Sequence, residues 1–438
     1  MRWFLGTCTL LIVALVFHLG LLAYAMYALL GVMLVSRFLA RTWSEHLTAR
    51  RECNRLVLQM GETVAVVITI ENTGNLPIAW VLVEDLLPRH ALIYDPPSLQ
   101  VLGRRMQLVM FKSRGRRTIH YQLTAHRRGY YQIGPTVLET GDLFGLHRRY
   151  RVATEPSFLM VLPRVQPLEG FDIASRRPIG EVKMSYQLFE DPTRVAGVRR
   201  YQTGDPLNRV HWHATARTGI LHSKVYEPST VAGATVLLDF HIDSFESRHE
   251  PYRSELAVTT AASLANAVFQ MGQQIGLATN GRDGADRIRQ EGWDFDVRTR
   301  LAAQQAASML AASDRLRPLV VETCRGSDQL MRILETLARV ELTDGLPLSQ
   351  LVTETVSRLP RDATVIAILT GVTADAAVAL GNLRRRGFAV VAVLNLFEDR
   401  DYAEAAGLLM AEQIETRHLK DESAVGTICR SFVLHQFA

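Results

Sequence analysis

Residues 363–371, ATVIAILTG, and 388–396, FAVVAVLNL, are apolar on both faces of an extended chain, and residues 233–240, GATVLLDF, and 274–280, QIGLATN, read the same way. A strand covered on one side alternates, whereas a strand buried on both sides stays apolar throughout, as in a parallel sheet with helices above and below. Helix-period stretches separate these runs: Ser254 to Met271, Arg298 to Ser313, Gln329 to Val340, Leu348 to Arg358 and Ala374 to Arg386. The alternation predicts a doubly wound α/β domain over residues 231–438.

Upstream the period changes to two. Val64, Val66, Ile68 and Ile70 interleave with other residues in ETVAVVITIENTGNLP, which ends in turn chemistry. AWVLVEDLLP, MQLVMFKS, TIHYQLTA and YYQIGPTVLET repeat the pattern at short spacing. Residues 50–165 are therefore expected to form an all-β sandwich of immunoglobulin-like size. Residues 185–230, dense in Arg, aromatic and turn residues, form a segment of different character between the two domains.

From Trp3 to Val35 the chain has no Asp, Glu, Lys or Arg. One helix of that length would reach about 50 Å, against a hydrocarbon core of roughly 30 Å. Residues 1–36 are expected to form a transmembrane two-helix hairpin broken near His18-Leu19-Gly20, with spans of about 15 residues; one tilted span is the alternative. Arg37, Arg41, Arg50 and Arg51 follow, in a polar link from Ser36 to Arg51, so the positive-inside rule places the later domains in the cytoplasm at the inner membrane. Ala23-Tyr24-Ala25 has the form of a signal-peptidase site, but the apolar run continues through it to Val35.

The chain has 438 residues, 48% of them hydrophobic, with a net charge of +5 and a mean hydropathy of +0.05. These values exclude a disordered chain and a multi-span transporter. The charge is uneven, +9 over residues 1–151 and −4 over residues 152–438. The arginines between Gln100 and Arg151 suit anionic membrane lipid, and no nucleic acid is expected. Cys8, Cys53, Cys324 and Cys429 lie far apart and support neither a disulfide framework nor a cysteine metal site. Nucleophile elbows, phosphate loops, dinucleotide fingerprints and zinc-protease helices are absent from the sequence.

Ligands bind open α/β sheets at the carboxyl ends of the strands. Asp239, His241 and Asp243 follow the first such strand and would share one side of an extended chain, where they suit a divalent metal. His211 and His213 flank Trp212 and would share one strand face, a second metal pair. A metal-dependent hydrolase built on Asp239, His241 and Asp243 is accordingly the alternative function. The competing readings are a capped loop and a solvated strand face, with no cofactor.

Residues 198–228, VRRYQTGDPLNRVHWHATARTGILHSKVYEP, resemble the signature of the bacterial family called domain of unknown function fifty-eight. The residues carrying the resemblance are Arg199 or Arg200, Tyr201, Gly204-Asp205, Arg209, Trp212 and Ala216-Arg217, with Lys224 following. RRGYYQIGP, GDLFGL and VLPRVQPL upstream are similar to members of that family too. The resemblance implies a membrane hairpin, a β-sandwich and a C-terminal domain similar to a von Willebrand factor A domain, whose strand ends often carry a metal-ion-dependent adhesion site. Asp239 matches the first residue of that motif; His241 and Asp243 stand where serines are usual, Thr343 is the nearest threonine on the later loop, and Thr370-Gly371 replaces Thr-Asp. Gly204-Asp205-Pro206 reads as a tight turn, Asp205 as a partner for Arg209 or Arg217, and Trp212 as a large buried anchor. The function expected is that of a membrane-anchored, non-enzymatic interaction or scaffold protein. The resemblance implies a MoxR-type AAA-plus ATPase as partner and a role in envelope or protein-complex maturation.

Overall fold

The computed structural model describes residues 2–93, 96–142, 145, 147–168, 190–201, 210–228, 233–290, 316–360 and 363–428. They fall into two compact units, one chiefly Met1–Arg164 and the other chiefly Val165–Arg282 and Glu341–Ala438.

The first unit opens with a helical hairpin. α1 (Arg2–Val16) and α2 (Gly20–Glu45) are separated at residues 17–19, where His18 turns the chain with a left-handed φ of 53°. The break falls at the expected place, but the arms are unequal at 15 and 26 residues. Among the described residues, α2 alone is long and apolar enough to cross a membrane. It also overrides the expected polar link. Ser36, Ala40 and Trp43 recur on one helical face and are buried, Trp43 within the first unit's core, so the helix runs through Arg37 and Arg41 to Glu45. Arg151 Nη1 donates to the terminal carbonyls of Ser44 and Glu45 at 3.1 and 2.9 Å, placing a cation at the negative end of the helix.

Eleven strands follow: β1 (Leu47–Cys53), β2 (Val57–Gln59), β3 (Thr63–Asn72), β4 (Ile78–Asp85), β5 (Leu99–Gly103), β6 (Met106–Phe111), β7 (Arg116–Ala125), β8 (Gly129–Ile133), β9 (Thr136–Gly141), β10 (Arg148–Val152) and β11 (Ser157–Leu162). They build two four-stranded sheets, β1-β3-β7-β5 and β10-β9-β4-β6, and a smaller β2-β11-β8 sheet. Val64, Val66, Ile68 and Ile70 from one sheet and Val81, Val83 and Leu138 from the other lie in a single core, as the two-residue alternation predicts.

That core contains a charged clasp. The side chains of Arg51 and Asp85 are buried and paired at 3.1 Å. Asp85 also accepts from Tyr121 Oη at 2.6 Å and Thr136 Oγ1 at 2.9 Å, while the Arg51 guanidinium donates to Glu155 O and Ser157 Oγ. Burial, with Asp85 alongside, raises the Tyr121 phenol far above its ordinary value, so it stays protonated and donates. Gly134 makes room for the arginine: a Cβ there would fall 1.6 Å from Arg51 Nη1.

The second unit begins with an antiparallel ribbon of β12 (Glu190–Arg200) and β13 (His222–Pro228), joined through the short helix α3 (Trp212–Thr218). Then come β14 (Gly233–Leu238), α4 (Tyr252–Gln270), β15 (Gln274–Thr279), β16 (Leu319–Cys324), α5 (Ser327–Arg339), α6 (Leu348–Thr355), β17 (Ala363–Leu369), α7 (Ala374–Arg385), β18 (Val390–Leu394), α8 (Asp399–Ala411), β19 (Glu415–His418) and α9 (Glu422–Thr427). The sheet order is β16-β15-β14-β17-β18-β19, parallel except for the antiparallel edge strand β16. Leu237, Val365, Ala367, Ala392 and Leu394 pack with residues of α6, α7 and α8. Their neighbours Val236, Leu238, Ile275, Leu277 and Val393 are buried as well, and α4 packs on β14 and β15. Both faces are covered, which is why these strands read as continuous apolar runs. The expected helix from Arg298 to Ser313 lies outside the described residues.

Candidate functional site

The chain leaves β14 toward β15 on one side and later returns to β17 on the other, so the carboxyl end of β14 is the switch point of the sheet. Asp239 stands there, 2% exposed. Its Oδ2 accepts from Ser244 Oγ at 2.7 Å, and its Oδ1 from Asn280 Nδ2 at 2.8 Å and the His241 amide at 3.3 Å. Asn280, at the end of β15, also accepts from the Phe240 amide at 2.6 Å and donates to Leu346 O at 2.8 Å. Ile242 N donates to Thr343 O and Thr343 N to Phe240 O, so residues 239–244 are bound to residues 343–346.

The three residues expected to share a metal do not converge. His241 turns its Nδ1 to the Asp243 amide at 3.3 Å and caps a 3₁₀ turn over Ile242–Ser244, while the Asp243 side chain is 86% exposed. The chain therefore does not stay extended past Asp239. Among the described residues, no group of three His, Cys, Asp or Glu side chains has the spacing of a metal site. The adhesion-type donor set does not fit either. Both Asp239 oxygens hold protein donors, Gly371 stands where a second carboxylate is usual, and Thr370 Oγ1 receives Asn395 Nδ2 at 3.5 Å. Sequence reasoning missed Ser244 and Asn280. The first lies five residues past Asp239 rather than two or four, and the second is a polar residue closing an apolar run.

Further along the same edge Arg253 is buried. Its Nη1 donates to Asn395 Oδ1 at 2.9 Å and Lys420 O at 3.0 Å, and its guanidinium lies 5.2 Å from the Phe397 ring centroid and 5.9 Å from that of Tyr252. Burial draws its pKa below the ordinary arginine value.

The signature segment gives a different surface. Arg200 pairs with His222 and Val198 with Lys224 across the ribbon, and Tyr201 N donates to Leu221 O at 2.9 Å. His211 and His213 do not share a strand face. His211 caps α3, accepting from Ala214 N at 3.0 Å, and the two imidazoles sit 6.4 Å apart edge to face. α3 ends at Gly219 in the left-handed conformation, φ 71°, and has no buried residue. Trp212, expected as a buried anchor, is 69% exposed: α3 is held to the ribbon by His211 N to His222 O and His222 N to Thr215 Oγ1, not by the indole. Arg199, Arg200 and Arg217 are exposed as well. Gly204, Asp205 and Arg209, with the expected Asp205 pairing, lie outside the described residues.

Protein of unknown function DUF58 is the family that matches here, over residues 197–299. The match starts within β12 and takes in the ribbon, α3, β14 and the loop carrying Asp239. The chain is 27% identical over 264 residues to the uncharacterized protein YeaD of Bacillus subtilis strain 168, covering 59% of this chain and 62% of that protein, less than two thirds of its length. Among solved structures it is similar to the CARDB domain of the PF1109 protein from Pyrococcus furiosus, at a TM-score of 0.18 and 11% identity, covering 26% of this chain and 91% of that one. Proximal thread matrix protein 1 from the mussel byssus gives a TM-score of 0.30 at 10% identity, covering 46% and 47%.

Proposed function

We propose that this protein is a membrane-anchored, non-enzymatic interaction protein whose signature ribbon is the docking surface. The exposed Trp212 carries the reading. A tryptophan kept in water, in the same ribbon segment as the exposed Arg199, Arg200 and Arg217, adds little to folding, whereas Trp and Arg are the residues that most often dominate binding energy at interfaces. The α1–α2 hairpin anchors the chain in the inner membrane, and the arginines after it favour a cytoplasmic location for both units. The two four-stranded sheets are read as an immunoglobulin-like sandwich. The order β16-β15-β14-β17-β18-β19 with one antiparallel edge supports a von Willebrand factor A-like domain. The partner proposed is a MoxR-type AAA-plus ATPase acting in envelope or protein-complex maturation, on the strength of the family resemblance alone.

In-cell crosslinking of the full-length chain, comparing wild type with Trp212→Ala and Arg200→Ala, tests this. Recovery of an ATPase with wild type and its loss from both variants, at unchanged melting temperature, is the expected result. Equal recovery from all three sinks the docking surface.

A further inference from the structure

The carboxyl edge of the second unit's sheet is acidic. Residues 239–253, 370–375, 395–401 and 419–422, which follow β14, β17, β18 and β19, hold ten Asp or Glu against four Lys or Arg. Of those four cations Arg253 is buried, and Lys420 is committed to Asp399 at 3.1 Å. The segments leading into β17, β18 and β19 are basic, with Arg358, Arg361, Arg384, Arg385 and Arg386 against Asp362 and Glu412. Between the acids of the carboxyl edge Ile242, Tyr252 and Phe397 stand about half exposed. Phe397 and Tyr252 flank the buried Arg253 guanidinium, and the His249 ring stacks 6.0 Å from Phe397. The edge thus combines half-exposed apolar side chains with an excess of acidic residues in the same loops.

The part of the ribbon next to α3 has the complementary composition. Residues 190–228 carry six Lys or Arg against four Asp or Glu, but residues 198–224 carry five against Asp205 alone, and Val198, Trp212, Ile220 and Leu221 are exposed. We propose that the ribbon of one copy docks on the acidic carboxyl edge of a second copy, head to tail. The ribbon supplies cations and an exposed indole, and the edge supplies carboxylates and two half-exposed aromatic rings. Opposite charge steers the encounter and desolvated aromatic contact holds it. Such a contact is heterologous: each copy keeps one unused ribbon or one unused edge, so assembly extends beyond a pair unless it closes into a ring. The inference rests on the reading of the ribbon as a docking surface and gives it a second occupant, which competes with the ATPase for Trp212.

The test uses the full-length chain in detergent, followed by sedimentation over a range of concentrations at low and high salt. Wild type is expected to assemble with concentration and to dissociate as salt rises and the Debye length shortens. Trp212→Glu, which spoils the ribbon, and the double variant Glu398→Lys, Asp401→Lys, which spoils the edge, each weaken association at least roughly tenfold. All three changed positions are exposed, so melting temperatures are expected to stay near wild type. Mixing the two variants restores one intact ribbon and one intact edge, giving complexes that stop at two. Wild type monomeric throughout, assembly indifferent to either variant, or no recovery on mixing overturns the inference. A monomeric wild type that still loses its crosslinked ATPase in Trp212→Ala would leave the docking surface standing and remove the self-association. Assembly that behaves as expected while ATPase capture is unchanged in that variant would do the reverse.

Discussion

Of the buried aspartates among the described residues, Asp85 in the first unit and Asp239 in the second are held by different kinds of partner. Asp85 is fully buried against a buried arginine, a phenol and a hydroxyl. Asp239, buried almost as deeply, accepts from a hydroxyl, a carboxamide and a backbone amide, and none of these carries charge. Asp85 therefore cancels its charge inside the first unit's core. Asp239 has no cationic partner among these groups and stands at the end of a central strand, on the edge where further acidic residues lie. The first arrangement is a charged pair closed inside a core, and the second is a carboxyl held by neutral donors at the edge where self-association is proposed.

The comparison breaks most visibly at the clasp. Asp85→Ala leaves Arg51 buried without a counter-charge and is expected to cost about 3–5 kcal/mol in urea unfolding. Replacing the pair together, Arg51→Met with Asp85→Leu, should recover most of that loss. A single-variant cost below about 1 kcal/mol would remove the clasp as a stabilising element.

At the second aspartate the expected loss is smaller. Asp239→Asn keeps the size of the side chain but sets a second amide against Asn280, and about 1–3 kcal/mol should follow from the misplaced donors. Mg²⁺, Mn²⁺ and Zn²⁺ should leave the wild-type melting temperature where it is, because both oxygens of Asp239 already hold protein donors. A clear upward shift with any of them that disappears in Asp239→Asn would show that a cation displaces those donors.

Trp212→Ala should change stability by no more than about 0.5 kcal/mol, the range for exposed sites. A loss above 2 kcal/mol would mean that the indole is buried after all and would return the signature to a packing role. The smallest effect is chemical. Burial, with the Asp85 charge nearby, pushes the Cys53 thiol up, whereas Cys324 is exposed. Iodoacetamide near neutral pH should label Cys324 well before Cys53 in the native protein, and equal rates would count against the closed interior around Asp85.

Much of this architecture is legible in the residues. Alternation at Val64, Val66, Ile68 and Ile70 announces a strand with one buried face, and the unbroken runs at 363–371 and 388–396 announce strands covered twice. β19 is not legible in that way: Glu415-Thr416-Arg417-His418 is polar because it is an edge strand with little to bury. The path of α2 through Arg37 and Arg41 was obscured by its charges, although Ser36, Ala40 and Trp43 keep helical spacing. The candidate site was legible only at Asp239, since a strand's end is visible in sequence. Which side chains meet there depends on how the following loop turns, and that turn brings Ser244 to the carboxylate and sends Asp243 outward. Trp212 misled for a related reason: a large apolar residue is usually a core residue, and its exposure depends on what the ribbon lacks around it.

Between the end of α2 and the start of β1 stands a single residue, His46. Its carbonyl accepts from both the Thr73 amide and the Thr73 hydroxyl, while Arg151 holds the helix end from another strand. A domain on a flexible tether searches a volume and absorbs a pull by straightening its leash. With this joint there is no leash to straighten, so a tilt or twist of the helix passes directly into the sheets of the first unit as into the head of a lever.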